Sequence, residues 1–336
     1  MRCARAGPNA NRAAIELRNW RVILLWQRGC SVGIAVQLFI GLAVTVFPAA
    51  TAAFALGMSD EKDLSGRIAR NEAFTHSGNA VFAVAAGIIG SFIALGGIFY
   101  TAAAFASGMV EPALLIRGDQ VSYEAARRGE KAEREGEGKQ PARFRDLFRD
   151  ARILLFPAAV VLFNISNAAT LPLIGEILSK HKHGFSSAWQ IAAAVTLAEA
   201  VMIRVASFTG KKADHWGRKP LFLAAFAFLA LRNGLNVASH NAFYLIGLQA
   251  FDGVAAAIYG VLLTLVTADL SKGTGRFNFL QGVIQSAMGL GAFLSNLAFG
   301  AVAKAWGFNA AFLGLSAFAV AGGLLVQFRV PETRNS

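Results

Sequence analysis

Residues 210–219 read Gly210-Lys211-Lys212-Ala213-Asp214-His215-Trp216-Gly217-Arg218-Lys219, a short basic stretch between two long apolar runs. The residues suit a tight reversal at a membrane surface. Gly210 and Gly217 allow a sharp turn and close approach of backbones. Asp214 can accept hydrogen bonds from helix N-terminal amides or from a basic partner. Arg218 and Lys219 suit the headgroup level on the cytoplasmic side, where long basic side chains snorkel and positive charge accumulates.

The composition on either side of that stretch is that of a membrane protein. Hydrophobic residues make up 55% of the 336 and charged residues 15%, with 34 Gly and 27 Phe. Soluble domains carry about 25% charged residues, whereas small and aromatic residues abound where membrane helices pack. The net charge of +12 sits in segments between apolar spans, so bias of basic residues toward the inner face explains it and nucleic-acid binding does not. Cys3 and Cys30 are the two cysteines, which excludes a disulfide framework or a cysteine metal cluster. Nucleophile-elbow, zinc-protease and nucleotide-loop motifs are absent. The chain is therefore read as a non-enzyme, without cofactor or metal, that would have to draw on gradients.

A membrane span needs about 20 mostly apolar residues, and nine stretches qualify, at 31–57, 74–94, 97–117, 152–178, 187–209, 220–239, 242–268, 278–303 and 306–328. The fold class is all-α and polytopic. A charged, apolar-poor segment at 118–151 separates three spans from six, and reads as a solvated linker or surface helix. A repeat links the two sides. Val36-Gln37-Leu38-Phe39-Ile40-Gly41-Leu42-Ala43 resembles Leu248-Gln249-Ala250-Phe251-Asp252-Gly253-Val254-Ala255, and each is followed by an apolar helix and a polar turn, with Arg70-Asn71 in one and Arg276-Phe277-Asn278 in the other.

The 210–219 stretch fits G-x-x-x-D-x-x-G-[RK]-[RK] at all five constrained positions, Gly210, Asp214, Gly217, Arg218 and Lys219. In this the chain resembles the major facilitator superfamily, which carries that pattern between the second and third helices of each six-helix half. His215 stands where the family usually has a second basic residue. The resemblance covers about 31–330. It implies two pseudo-symmetric helical bundles, a midplane solute site and alternating access. On that plan 1–30 is a basic N-terminal segment, 31–117 a partial first bundle of three helices, 118–151 the central cytoplasmic loop, 152–328 the six-helix second bundle and 329–336 a tail. The first bundle is expected to lack its opening three helices through truncation. Residues 1–30 hold six Arg, one acidic residue and no cleavable leader. The five motif residues would form a conformational latch at the cytoplasmic side.

Charge at membrane depth is costly and marks function by default. Glu199, Arg232 and Asp252 lie inside the fifth, sixth and seventh spans, and are expected to form one buried ion network facing a central cavity, with Glu199 or Asp252 taking up a proton while Arg232 competes for the carboxylate. Asn164, Asn167, Gln249 and Gln285 are the amides singled out for solute contact. Asn79, Gln281 and Asn296 read as interhelical glue, Arg204 as structural, and Glu72 and His76 as interfacial residues at a span's edge. The expected partners are a small solute, a proton and the lipid bilayer, with no nucleic acid, and the chain is expected to be a monomer in a bacterial inner (cytoplasmic) membrane. Substrate and direction are not legible, although the second span lacks the Gly-Pro pair of the superfamily's proton-coupled drug exporters. A non-transporting fragment or a sensory protein on the same scaffold are the alternative readings.

Overall fold

The computed structural model describes residues 46–58, 63–93, 96–108, 122, 126, 151–180, 187–272, 274 and 276–333. The chain divides into two units, Met1–Pro48 and Ala49–Ser336. Only 46–48 of the first fall within the described residues, so the expected basic segment and the upstream copy of the repeat at 36–43 lie outside them. The expected loop 118–151 lies almost wholly outside them as well.

Among the described residues the structure is helical, with no strand. We number the helices α1 Val46–Gly57, α2 Leu64–Phe92, α3 Gly97–Gly108, α4 Ala151–Asn167, α5 Thr170–Lys180, α6 Ser187–Trp216, α7 Arg218–Leu235, α8 Ala242–Ser271, α9 Phe277–Trp306 and α10 Phe308–Arg329. Six segments are long and apolar enough to cross a bilayer, namely α2, the pair α4–α5, α6, α8, α9 and α10. The 18 residues of α7 carry Arg218, Lys219 and Arg232, and that charge is why composition does not rank it with the others. Of the six stretches expected as spans in 152–328, five fall on these segments, α4–α5, α6, α8, α9 and α10, and the sixth falls on α7.

Two boundaries differ from the sequence reading. Helix α2 starts at Leu64, about three turns before the expected 74, so Arg70 and Asn71 lie within a helix and not in a turn. Residues 210–216 also stay helical. A 30-residue helix is about 45 Å long against a hydrocarbon core of about 30 Å, so the basic end of α6 extends past the apolar layer without unwinding. The reversal is made by Gly217 alone, with φ 88° and ψ 169°. Gly307 repeats this between α9 and α10, with φ 87° and ψ 167°. Both follow a tryptophan in the pattern Ala-x-x-Trp-Gly, at 213–217 and 303–307.

The helices alternate in direction, which separates the loops into two ends. Ser65, Asp214, Arg218, Asp269 and Glu332 meet at one end. His240 and Asn309 pair at the other, where Lys180 lies over the Phe308 ring. Arg67, Arg70, Arg152, Lys211, Lys212, Arg218, Lys219, Lys272, Arg276 and Arg329 belong to the first end, and Lys180 and Lys304 to the second. The first end is thus the basic one, the end that positive-inside bias predicts to face the cytoplasm.

The main core is built on Phe156, Phe163, Phe226, Leu262 and Phe277, all buried. Phe163 and Tyr259 stack with ring centroids 4.0 Å apart. A second core at the opposite end packs Ile174, Leu245, Phe312 and Leu315. Helix α2 lies antiparallel along α6, and α6 packs on α8. Both contacts depend on missing side chains. A Cβ on Gly210 would collide with Ala69 Cβ and come within 2.9 Å of the Ser65 carbonyl oxygen, and one on Gly253 would stand 2.5 Å from the Ala198 carbonyl oxygen.

Candidate functional site

Three polar clusters occur where the apolar sequence would not otherwise place them. The first is at the basic end. Asp214 Oδ1 accepts from Ser65 Oγ at 2.8 Å and from an Arg218 guanidinium N–H at 2.9 Å. The same guanidinium donates to the Ala213 carbonyl at 2.6 Å and, through Nε, to Asp269 Oδ2 at 3.1 Å. Arg218 therefore ties the end of α6 to the end of α8, while Ser65 brings α2 into the chain of bonds. Glu332, beyond α10, caps α7. Its carboxylate accepts from the backbone N–H of Arg218 at 2.8 Å and of Lys219 at 3.0 Å, the groups a helix start leaves unpaired, and its negative charge suits the positive end of the helix dipole. Lys219 Nζ donates to the Gln327 carbonyl at 2.8 Å. All five motif residues take part, with Gly210 admitting α2 and Gly217 leaving room for Glu332. Ser65, Asp269 and Glu332 were not found by reading the sequence.

The second cluster centres on Arg232, whose side chain is 2% exposed. It donates to Asp252 Oδ1, to Asn167 Oδ1 at 2.8 Å and to Asn233 Oδ1 at 3.2 Å. These bonds converge on the interruption between α4 and α5 at Ala168-Ala169. There Asn233 donates to the Ser166 carbonyl at 2.7 Å and accepts from Thr170 Oγ1 at 3.1 Å. Ser295 accepts from the Ala169 N–H at 3.1 Å and donates to the Ile165 carbonyl at 2.6 Å. Side chains of α7 and α9 thus satisfy the backbone groups that a break in a membrane helix exposes, as such a break requires.

The expected single network is in fact two. Arg232 pairs with Asp252, whereas Glu199 faces α2, because α6 packs on α2 and α8 with Glu199 on the α2 side. Glu199 Oε2 lies 2.7 Å from His76 Nδ1, and Asn79 Nδ2 donates to Glu199 Oε1 at 3.2 Å. Glu72 Oε2 is 3.7 Å from His76 Nε2. Glu72 and His76 are therefore not edge residues. With α2 starting at Leu64 they stand well inside it, and they share a face with Ser65, Ala69 and Asn79.

The amides divide in the same way. Asn167 joins the Arg232 cluster. Asn164 donates to Tyr259 Oη at 2.8 Å and to the Val160 carbonyl at 2.9 Å, so it braces α4 on α8. Gln249 is buried and donates to the Leu245 carbonyl of its own helix at 3.1 Å. Gln285 is half-buried on α9, and among the described residues no hydrogen bond joins it to any cluster. The described residues also contain no group of three acidic, His or Cys side chains able to hold a metal ion.

The sequence matches the profile of the Major Facilitator Superfamily over residues 23–233 and again over 208–336. Two uncharacterized MFS-type transporters from strains of Mycobacterium tuberculosis are each 41% identical over 300 residues, covering 89% of this chain and 71% of theirs. Among solved structures, the human organic anion transporter MFSD10 (TETRAN) is similar in fold, with a TM-score of 0.57 at 18% identity, over 83% of this chain and 67% of that one.

Proposed function

The chain belongs to the major facilitator superfamily and is a transmembrane transporter of a small solute, and from that premise we propose that it works by alternating access, driven by a proton gradient, in a bacterial inner membrane. Residues 31–117 act as part of one bundle and 152–328 as the other, with 118–151 the cytoplasmic loop between them. The contact of α2 with α6 is then the seam between bundles. The observation that carries this reading is the chain of bonds from Ser65 through Asp214 and Arg218 to Asp269, which closes that seam at the basic end. Opening the cavity inward breaks the Ser65–Asp214 contact and leaves Arg218 paired within its own bundle, so the latch separates at its neutral link. Glu199 and Asp252 are the carboxylates at membrane depth available for coupling.

The test is uptake into proteoliposomes under an imposed pH gradient, screened over sugars, amino acids, organic anions and amphiphilic drugs. The expected result is accumulation that a protonophore collapses, with inward and outward rates unbalanced in Ser65→Ala. Silence toward every solute class, together with a protein partner that co-purifies, would replace transport with a scaffold role.

A further inference from the structure

We propose that the coupling proton binds at the Glu72–His76–Glu199 cluster and, when bound, clasps α2 to α6. The assignment rests on the reading of the chain as a proton-coupled transporter, and chooses between its two candidate carboxylates.

The two sites differ in what a proton would do. Arg232 cannot give up its own proton, and Asp252 is its one carboxylate among the described residues. A proton placed on Asp252 would leave a buried guanidinium without its counter-charge, a costly state. The other cluster holds two carboxylates and one imidazole, with no permanent cation among them. Histidine is the side chain suited to gain and lose a proton near neutral pH.

The geometry is that of a site with one position unfilled. His76 Nδ1 and Glu199 Oε2 are hydrogen-bonded at 2.7 Å, and Asn79 fixes the second Glu199 oxygen at 3.2 Å. His76 Nε2 is buried and has no hydrogen-bond partner among the described residues. The atom that faces it is Glu72 Oε2, at 3.7 Å, just beyond bonding range. A proton arriving at Nε2 turns the imidazole into a donor at both ends, toward Glu72 on α2 and Glu199 on α6. The cluster's charge goes from −2 to −1, with an imidazolium between two carboxylates. Without that proton, the two carboxylates repel across the helix contact. Loading therefore favours the closed seam and unloading the open one.

The surroundings leave this cluster to set its own charge. Helix α3 packs on α2 and carries no acidic or basic residue. Helix α8 offers Gly260, where an added Cβ would lie 3.2 Å from Glu72 Oε2, and its Asp252 and Asp269 are engaged with Arg232 and Arg218. On α6 the next charged residue toward the cytoplasm, Arg204, is exposed. Packing on either side is tight. Gly87 meets Ala192 toward one end and Gly210 meets Ala69 toward the other, so a small change at the cluster is transmitted along the contact.

The test is an infrared pH titration of the full chain in lipid nanodiscs, with labelled histidine. The wild type is expected to show imidazole and carboxylate signals that change together at one midpoint. In His76→Gln the imidazole component with that midpoint disappears, leaving those of the other four histidines, and the carboxylate midpoint moves by at least tenfold in proton affinity. Glu72→Gln and Glu199→Gln each remove part of the carboxylate signal, while Glu176→Gln, at the exposed pair with Lys180, leaves the shared midpoint in place. Gly260→Ala keeps every titratable group and still moves the midpoint, which guards against reading misfolding as loss of a site. Imidazole and carboxylate signals with separate midpoints, or a carboxylate signal untouched by all three substitutions, would overturn the assignment. Gradient-driven uptake alongside a silent cluster would overturn the assignment alone. A cluster that titrates as described in a protein indifferent to a pH gradient would overturn proton coupling itself.

Discussion

Replacing Gly217 with Ala is expected to cost more than replacing Gly307, and the structure says by how much and why. Both glycines hold nearly the same backbone, φ 88° and ψ 169° against φ 87° and ψ 167°. That region is close to glycine-only, and a side chain there costs about 1–3 kcal/mol. Their surroundings differ. Nothing lies within 4 Å of a Cβ built on Gly307, whereas one on Gly217 would stand 2.5 Å from Glu332 Oε2 and 3.0 Å from its carboxyl carbon. The carboxylate has to leave, and with it go the bonds from the backbone N–H of Arg218 and Lys219 at 2.8 and 3.0 Å. Bonds to charged groups are each worth about 1.5–3 kcal/mol when buried. Taking well below the sum, because the Lys219 bond is exposed, gives about 2 kcal/mol for the pair. Gly307→Ala therefore measures the backbone cost alone, and Gly217→Ala should exceed it by about 2 kcal/mol. The assay is reversible denaturant unfolding in mixed micelles, followed by helical circular dichroism, for both variants with and without Glu332→Ala. In the Glu332→Ala background the gap should vanish, as coupled sites require. Equal costs in the wild-type background, or a gap that survives removal of Glu332, would refute the capping argument.

Two further outcomes follow from the buried polar clusters. Arg232→Met should destabilise the protein by about 3–5 kcal/mol by leaving Asp252 unpaired, and adding Asp252→Leu should recover a large part of that loss in the same unfolding assay. Ser295→Ala removes the two bonds that Ser295 makes across the α4–α5 break and should cost about 1–3 kcal/mol, with faster amide exchange at Ala169 as the local readout.

What the sequence made legible was local. The spacing of Gly210, Asp214 and Gly217 encodes a close approach, an acceptor and a positive φ, each of which acts within a few residues, so those local features were legible although the turn proved to be a single residue. The helices of 152–328 were likewise legible, since each carries its own apolar run. The pairing of charged groups was not. His76 and Glu199 are 123 positions apart, and nothing near either names the other. A signal for the face itself was present, because Ser65, Ala69, Glu72, His76, Asn79, Ala83 and Gly87 recur at helical spacing of three and four. It was masked by Arg67, Arg70 and Asn71, which look like loop residues until α2 is seen to begin at Leu64. Glu332 was hidden for a different reason. A capping carboxylate that arrives from another segment leaves no mark in the helix it caps.

The depth of His76 has an electrical meaning. It stands thirteenth of the 29 residues of α2, so on the proposed assignment a proton reaching it from either side would cross close to half of the membrane field. Moving a unit charge through the whole field is worth about 2.3 kcal/mol per 100 mV, and half of it about 1.2 kcal/mol. On the proposed assignment, voltage would assist loading from the outer face and unloading to the inner face in nearly equal parts. A cluster at either surface would place the whole electrical work on one of the two steps, whereas a proton site at this depth would divide it between them.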